Sequence, residues 1–468
     1  MTKLDMVIRH GEIVTAAGSV GCADIGISNG IVVQIGGAIE GDTEIDAAGK
    51  LVLPGGIDAH VHLSVPPEGL DVKPNWVDKP NWVDDFTSGS AAALAGGITT
   101  LGNMTFPGRG ETPLAQLERE TAVARKQTIT DLFLHPVLDD VTPEVLDEIP
   151  KLLNIGCNSI KIFTVSAKFD SQVRNYVEAI RRAGQNGLIT LIHCEDYALI
   201  EDSTALLVAA GKSSIRYYAQ SRPIISEVIA TQRAVDFAEA TGAPVYIVHL
   251  SSARALDVCA EAQSRNIPVY VETRPLYLFL TRQRFEDEDG AKYVGLPPLR
   301  EQQDVDALWA GIRQGTIQTV CTDHAPWSLA AKLDSAHTIT NVRAGVADLQ
   351  TMRPMLFSEG VLTGRITLGR FVEVTSTNVA KVFGLYPRKG TIAVGSDADL
   401  AVFDPSLTLT IERSMLKSMS DYSAFEGRQV TGWPVVTLRR GEIVFRDGVI
   451  LGRPGSGKIV SRGPTMPL

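Results

Sequence analysis

Two histidines one residue apart, His60 and His62 in "DAHVHL", are the first residues of this chain whose spacing could do chemistry. On an extended strand, residues two apart project to the same side, so both imidazoles would face one way. An inward pair of imidazoles at a strand end suits a divalent metal, although two hydrogen-bonded core histidines would give the same spacing. Other strand-like runs end in residues of the same kind. "LIHCE" supplies His193, "YIVHLSS" supplies His249, and "VCTDHAP" supplies Asp323 and His324. Five of the eight histidines in the chain therefore stand at strand ends, a clustering that packing alone is hard put to produce. Metal ligation is the reading that follows.

Lys161, in "SIKIF", interrupts an apolar strand with a charge. A buried ammonium without an acidic neighbour is costly. Two readings stay open on the residues alone. The stem could pack while the ammonium pairs with a carboxylate distant in sequence. Alternatively the neutral amine takes up carbon dioxide and becomes a carbamate, whose two oxygens can bridge two metal ions as a carboxylate would.

The elements that must position these residues alternate along the middle of the chain. "LVLPGGIDAHVHL", "GITTLGNMTF", "TDLFLHPVL", "SIKIFTV", "LITLIHCE", "APVYIVHL", "IPVYVETRPL" and "TIQTVCTDHAP" read as strands. Helical stretches such as "SQVRNYVEAIRRAGQNG" lie between them. Eight strands, each followed by a helix, predict a (β/α)8 TIM barrel, a fold that presents its reactive groups at the C-terminal ends of the strands. The ends of the chain have another texture, of short strands broken by glycine, and "IRHGEIV" at 8–14 is echoed by "LRRGEIV" at 438–444. The expectation is an α/β protein in which residues 1–53 and 388–450 together build a small antiparallel β-sandwich. Residues 54–387 would form the barrel, and 451–468 an extended arm. "GRPGSGK" at 452–458 resembles a phosphate-binding loop, but Ile459 stands where Ser or Thr is needed and no helix is predicted after it.

Composition narrows the partners. The chain of 468 residues is 44% hydrophobic and 21% charged, with a formal charge of −10. Nothing there favours nucleic acid or an anionic membrane surface. No apolar run approaches the roughly 20 residues needed to cross a bilayer, and the N-terminus lacks the apolar stretch of a signal peptide. Five scattered cysteines without a CxxC pair fit a reducing cytoplasm.

Taken together, "HVH", "KIF", "IHCE", "VHLSS" and "TDHAP", with "PGGID", "GGITT", "PPLR" and "GTIAVGSDADLAVFD", resemble the amidohydrolase superfamily. More narrowly they are similar to its dihydropyrimidinase, hydantoinase and allantoinase branch, from about residue 5 to about residue 450. The resemblance implies two divalent metal ions, with zinc expected. His60 and His62 would bind one and His193 and His249 the other, with Lys161 bridging both as a carbamate. Asp323 would be both a ligand of the first ion and the general acid/base, and His324 a structural neighbour. The implied reaction is attack of a metal-bridging hydroxide on a cyclic amide, imide or ureide, with the proton passed to the leaving ring nitrogen. The expected partner is that small cyclic substrate, and the expected assembly a homo-oligomer, a tetramer as in relatives. A related hydrolase acting on a lactone, a linear amide or an amine is the alternative, and a non-catalytic scaffold a further one.

The chain departs from that branch around the substrate. Ser166 stands where a tyrosine would donate to the oxyanion, Leu296 where a serine precedes "PPLR", and "RPLYL" at 274–278 where "CPHYL" is usual. Asn341 matches a substrate-binding asparagine. Ser64 stands where dihydroorotases carry an arginine for a substrate carboxylate. Hydantoin and dihydrouracil are therefore not secure as substrates. The tandem unit "KPNWVDKPNWVD", residues 73–84, falls in the loop leaving the first barrel strand. One reading is that at least one of Trp76 and Trp82 lines the pocket mouth and accepts a hydrophobic or bulky ring substituent; the other is that the duplication only enlarged a surface or subunit contact.

Overall fold

The computed structural model describes residues 3–63 and 82–468. Ser64, Trp76 and the repeat up to residue 81 lie outside the described residues. Eight parallel strands form the centre: β1 Gly56–Val61, β2 Ile98–Thr105, β3 Asp131–Pro136, β4 Ser159–Phe163, β5 Ile189–His193, β6 Val245–Ile247, β7 Val269–Thr273 and β8 Thr319–Val320. β1 to β3 hydrogen-bond as one sheet and β4 to β8 as another. Bridges between Val137 and Lys161 and between Val61 and His324 join the two sheets along both seams. The strands are buried along almost all of their length. Each is covered by the barrel interior on one side and by helices on the other, which is why they read as continuous apolar runs rather than alternating ones.

A helix follows each strand: Phe86–Ala95, Pro113–Gln127, Pro143–Glu148, Val173–Gln185, Ile224–Thr241, Ala253–Ser264, Gln302–Gln314 and Met352–Leu356. Their starts are written in the sequence. Asp85 accepts from Thr87 N and Ser88 N, Ser252 caps through Ala255 N, and Thr142 through Val145 N. Each satisfies a backbone donor that the first helical turn leaves open.

The run "LVLPGGIDAHVHL" is two strands, not one. Leu51–Pro54 belongs to the terminal sheet and β1 starts at Gly56. Gly55 marks the crossing between them, because a Cβ there would stand 2.3 Å from Thr99 Oγ1. Strands from both ends of the chain share a seven-stranded sheet, in which Leu400–Thr410 pairs with Leu51–Pro54 on one side and Gln429–Arg439 on the other. A four-stranded sheet of Ile31–Ile35, Ile25–Ser28, Leu4–Arg9 and Gly41–Asp46 faces it, and Ile8, Ile27, Val52, Leu400 and Leu438 meet in the core between them.

Two pairings depart from the antiparallel expectation. Leu4–Arg9 runs parallel to Gly41–Asp46, and Glu12–Thr15 parallel to Leu51–Pro54. The chain turns from one sheet to the other at His10–Gly11 and again after Asp46, so two crossing segments lie side by side in the same direction. For the same reason the two echoing units differ. "LRRGEIV" closes a hairpin between Gln429–Arg439 and Glu442–Arg446, whereas "IRHGEIV" sends its two strands to different sheets.

The last residues form a strap across the barrel's own N-terminal end. Val460 N donates to Leu132 O at 2.8 Å, Arg462 N to Gly156 O at 2.9 Å and Thr465 N to Gly187 O at 3.2 Å, beside the starts of β3, β4 and β5. "GRPGSGK" leads into this strap and not into a helix. Arg462 anchors it: the buried guanidinium donates to Leu134 O at 2.7 Å and Ser159 Oγ at 2.9 Å, and lies 4.7 Å from the Phe133 ring centroid. Arg462→Ala removes a charged donor and leaves buried acceptors open, so it should destabilise the fold by about 2–3 kcal/mol. Thermal unfolding of that variant checks the point, and an unchanged midpoint would show that the strap is only laid on the surface.

Candidate metal centre

The residues singled out by type and spacing converge at the C-terminal end of the barrel. β1 carries His60 and His62, β4 carries Lys161, and β5 ends in His193; His249 follows β6 and Asp323 follows β8. All six are buried. The imidazoles form one continuous cluster, with ring centroids 5.5 Å apart for His60 and His62, 5.4 Å for His60 and His249, and 4.5 Å for His193 and His249. Ligand atoms of His60, His62 and Asp323 lie within 4.8 Å of one another. His249 and Asp323 hold positive φ angles of 38° and 49°. Non-glycine residues seldom adopt that region, and strained backbone of this kind gathers at functional sites.

Carboxylates behind the imidazoles set which nitrogen faces inward. Glu272 Oε1 lies 2.8 Å from His60 Nδ1, and Glu195 Oε2 lies 2.8 Å from His193 Nε2. This leaves His60 Nε2 and His193 Nδ1 for the cavity, the arrangement that orients metal-binding imidazoles. Each carboxylate is held in turn. Glu272 takes Tyr246 OH at 3.0 Å and His249 N at 2.9 Å, and Glu195 takes Arg222 Nη2 at 2.6 Å. Burial pushes Glu272 up to about 7. Burial alone would push Glu195 up too, but Arg222 and His193 outweigh it and hold it down to about 2.

The donor set fits divalent cations. Among the described residues, Lys161 Nζ, His62 Nδ1 and His249 Nδ1 are buried without a hydrogen-bond partner. Buried polar atoms are rarely left so, and three of them in one cluster mark a place for something more than protein. Burial depresses Lys161 to about 8 and, with Lys161 nearby, holds His60 well below the usual imidazole range. Burial does the same to His249. The His60 and His249 imidazoles are thereby neutral, the form that ligates.

Asp323 divides its two oxygens. Oδ1 lies 3.0 Å from His62 Nε2 and 3.3 Å from His60 Nε2, while Oδ2 accepts from Arg274 Nη1 at 2.6 Å. Arg274 also reaches Asp348 Oδ2 at 3.5 Å. Burial opposes ionisation of Asp323, but Arg274, His60 and His62 hold its carboxyl well below the usual range.

The other expected residues fall in different places. Trp82 and Leu296 line the cavity at the imidazoles, about 30 Å³ in volume, together with Phe163, Ala344 and Gly345. Gly345, at φ 127°, passes so close to Ala325 that a Cβ would stand 2.3 Å from its carbonyl oxygen. Lys332 pins this wall from behind, donating to Val294 O, Arg343 O and Gly345 O at 2.6–3.1 Å. Ser166 does not line the cavity: it caps the short helix Ala167–Ser171, its hydroxyl accepting from Lys168 N. Asn341 is exposed and its side chain bonds within its own turn, to Thr338 N and Ala336 O. Both ring nitrogens of His324 are engaged, Nε2 by Asp84 at 2.8 Å and Nδ1 by Asp348 N at 3.2 Å. Asp84 is the last residue of the tandem repeat, so the end of its second copy is tethered at His324, next in sequence to Asp323.

Sequence reasoning missed Glu272, Glu195, Arg222 and Arg274. Glu272 carried a usable signal, a lone acid in the apolar run "VYVET", the same signal that drew attention to Lys161. A second acidic group of Asp131, Asp397 and Asp399 is not a comparable centre, because Lys389 Nζ sits among its carboxylates at 2.7, 3.0 and 2.5 Å.

Glu272→Gln keeps the shape and removes the charge behind His60, so it should weaken divalent-metal affinity about 10- to 100-fold. Competition with a chromogenic chelator reads this directly, and unchanged affinity would mean that Glu272 does not orient a ligand. Comparison with known proteins bears on the same site. A D-phenylhydantoinase from Escherichia coli is 37% identical over 468 residues, covering 99% of each chain. The D-hydantoinase from Bacillus sp. AR9 superposes with a TM-score of 0.92 at 35% identity, covering 98% of this chain and 99% of that one. The dihydropyrimidinase from Brevibacillus agri superposes with a TM-score of 0.91 at 34% identity, covering 99% of both. Residues 51–444 match the model of the amidohydrolase family, and with the histidines, lysine and aspartate gathered at one barrel end, the chain belongs to that family.

Proposed function

We propose that the protein is a metal-dependent hydrolase that opens the ring of a cyclic amide, imide or ureide of the hydantoin and dihydropyrimidine kind. The observation that carries the reading is Lys161: a fully buried amine without a partner among the described residues, set within four imidazoles and Asp323. Its pKa of about 8 keeps a substantial fraction of the amine neutral near pH 7–8. The neutral amine is the form that adds carbon dioxide. As a carbamate, Lys161 would become an anionic ligand in place of an orphaned donor; His60, His62 and Asp323 would hold one divalent ion and His193 and His249 another, zinc in this reading. Bound there, the ions would supply an acidified water and polarise the substrate carbonyl.

The rest falls to the protein's own side chains. Water is added across a ring C–N bond: the carbonyl carbon gains the hydroxyl and becomes a carboxylic acid, and the ring nitrogen gains the proton. Asp323 moves that proton, with Oδ1 turned to the imidazole side and Oδ2 fixed by Arg274. Trp82, Phe163 and Leu296 give the cavity an apolar wall that excludes bulk water. A second cavity of about 340 Å³, lined by Val165, Tyr197, Ile200, Tyr218 and Ile339, shares Ala344 with it. It offers room for an aromatic or branched ring substituent, so a 5-substituted hydantoin suits the site better than the bare ring. We further place the protein in the cytoplasm, where its five free thiols remain reduced, as a homo-oligomer, a tetramer by resemblance. Among the described residues no helix is long and apolar enough to cross a membrane.

The test is a panel of cyclic ureides, imides, lactams, lactones and linear amides, offered to protein loaded with zinc and bicarbonate. Ring-opened carbamoyl or amic acids should form from cyclic amides, the activity should vanish with a chelator, and zinc should restore it. Lys161→Ala should lose several orders of magnitude together with its metal, and recover part of both when a short carboxylate such as propionate is supplied. A metal-loaded protein that turned over only lactones or linear amides would defeat the ring-opening reading.

A further inference from the structure

We propose that Trp82 is a catalytic residue, whose indole Nε1–H donates a hydrogen bond to the substrate carbonyl oxygen as it gains negative charge. The proposal rests on the ring-opening reading above and names the donor that reading lacks. Trp82 packs on His62 with ring centroids 5.0 Å apart and on Phe106 at 6.0 Å, and it is 7% exposed. Its Nε1 is buried and meets no acceptor among the described residues. The other described tryptophans all have one. Trp309 donates to Leu278 O at 3.0 Å, Trp327 to Ala344 O at 2.8 Å and Trp433 to Val430 O at 2.8 Å. A buried donor with no acceptor is costly to the fold, and such groups persist where a function uses them.

Position and surroundings point the same way. Trp82 lines the cavity at the imidazoles, which at about 30 Å³ is so small that a carbonyl reaching the cluster must touch its walls. Of the lining side chains, the imidazoles and Asp323 are the ones offered to metal, and Phe163, Leu296, Ala325 and Ala344 bring no polar hydrogen. The indole is the neutral donor left among them. Ser166 does not compete, since it does not line this cavity and instead caps the helix Ala167–Ser171, its hydroxyl oxygen accepting from Lys168 N at 3.2 Å. The chain just after Trp82 is anchored, with Val83 N donating to Pro326 O at 2.9 Å and Asp84 Oδ2 meeting His324 Nε2 at 2.8 Å, and the indole itself packs on His62 and Phe106. A donor fixed before the reaction and aimed where charge develops stabilises the transition state more than the ground state.

Trp82→Phe keeps an aromatic ring on His62 and removes the N–H. With the zinc-loaded full chain and the best substrate of the panel, kcat should fall about 100-fold while KM stays within about twofold. Metal content should not change. Replacement of Trp82 by 3-benzothienylalanine, which has the indole shape without the N–H, should reproduce the loss even if phenylalanine disturbs packing. With 15N-labelled indoles, the resonance that disappears in Trp82→Phe should shift downfield when an unhydrolysed substrate analogue binds. A kcat within about threefold of wild type in the benzothienyl variant, or an Nε1 signal unmoved by the analogue, overturns the proposal. If the wild-type protein itself opens no cyclic amide, the ring-opening reading fails and the donor falls with it; an active wild type with an indifferent Trp82 removes the donor alone.

Discussion

The structure turns on a fully buried amine that has no acceptor. Lys161 sits in the barrel wall with its ammonium end 4.9 Å from the Phe163 ring centroid and no partner among the described residues. An uncompensated charge in such a place is among the more destabilising features a fold can carry. Among the described residues, no hydrogen-bonded ion pair meets that burden. Glu272 and Asp323 are near enough to raise its pKa, but burial outweighs them. Both carboxylates are already committed, Glu272 to His60 and Asp323 to Arg274. Conversion to a carbamate beside bound cations would replace an unpaired positive charge by a negative one. Because burial has already made His60 and His249 poor bases, ligation there need not first remove a proton from either ring.

The same residues close the barrel. The seam between β3 and β4 is joined at Val137 and Lys161, where Leu138 N donates to Lys161 O at 2.8 Å. The seam between β8 and β1 is joined at Val61 and His324, where His62 N donates to His324 O at 2.8 Å. Thr322 reinforces that second seam by donating to Asp58 from both its backbone and its hydroxyl. Backbone from the two halves of the barrel thus meets at the positions whose side chains form the cluster. Ligand geometry and barrel geometry are one constraint: the seams cannot slip without separating His62 from Asp323, or Lys161 from the rest. Fixing the cluster on strand ends, and not on loops, gives it the precision that a shared bridge between two ions demands.

The barrel and the histidine cluster were legible because both follow from periodicity. A two-residue spacing puts His60 and His62 on one side of a strand, and continuous apolar runs of five or so residues, alternating with helices, are what a parallel barrel requires. The union of the chain ends was legible through the repeated "RGEIV" texture, though the sequence did not say that one copy would span two sheets while the other closed a hairpin. The pairings behind the cluster were harder to read where tertiary contact alone fixes them: Glu272 lies 212 residues from His60, and Arg274 lies 49 from Asp323, whereas Glu195 is only two residues from His193. At Asn341 the sequence is silent on a local feature: the side chain bonds within its own turn, since Asn competes well for the backbone there. The terminal arm looked free because Pro and Gly dominate it. Its docking depends on Arg462, whose acceptors belong to segments more than three hundred residues away.

Arg274 links the histidine and aspartate cluster to its surroundings. A guanidinium 2.6 Å from Asp323 Oδ2 makes that carboxylate a weak base and its protonated form a strong acid. In a ring opening, such a group is poor at taking the first proton and good at delivering it. Uptake is helped where the water is already acidified by cations, and delivery is the harder half when the leaving group is a ring nitrogen. Neutral Cys in the usual "CPHYL" could not shift the balance in this way, whereas Arg in "RPLYL" does, with Asp348 keeping the guanidinium in place. Arg274 sits behind the expected reacting groups rather than among them, so in a ring opening it would change proton transfer without changing the expected ligands. The substitutions around this centre are therefore not scattered tolerance: those at Arg274 and Leu296 bear on proton transfer and on the apolar wall, while the six residues that would hold the ions stay as the chemistry requires.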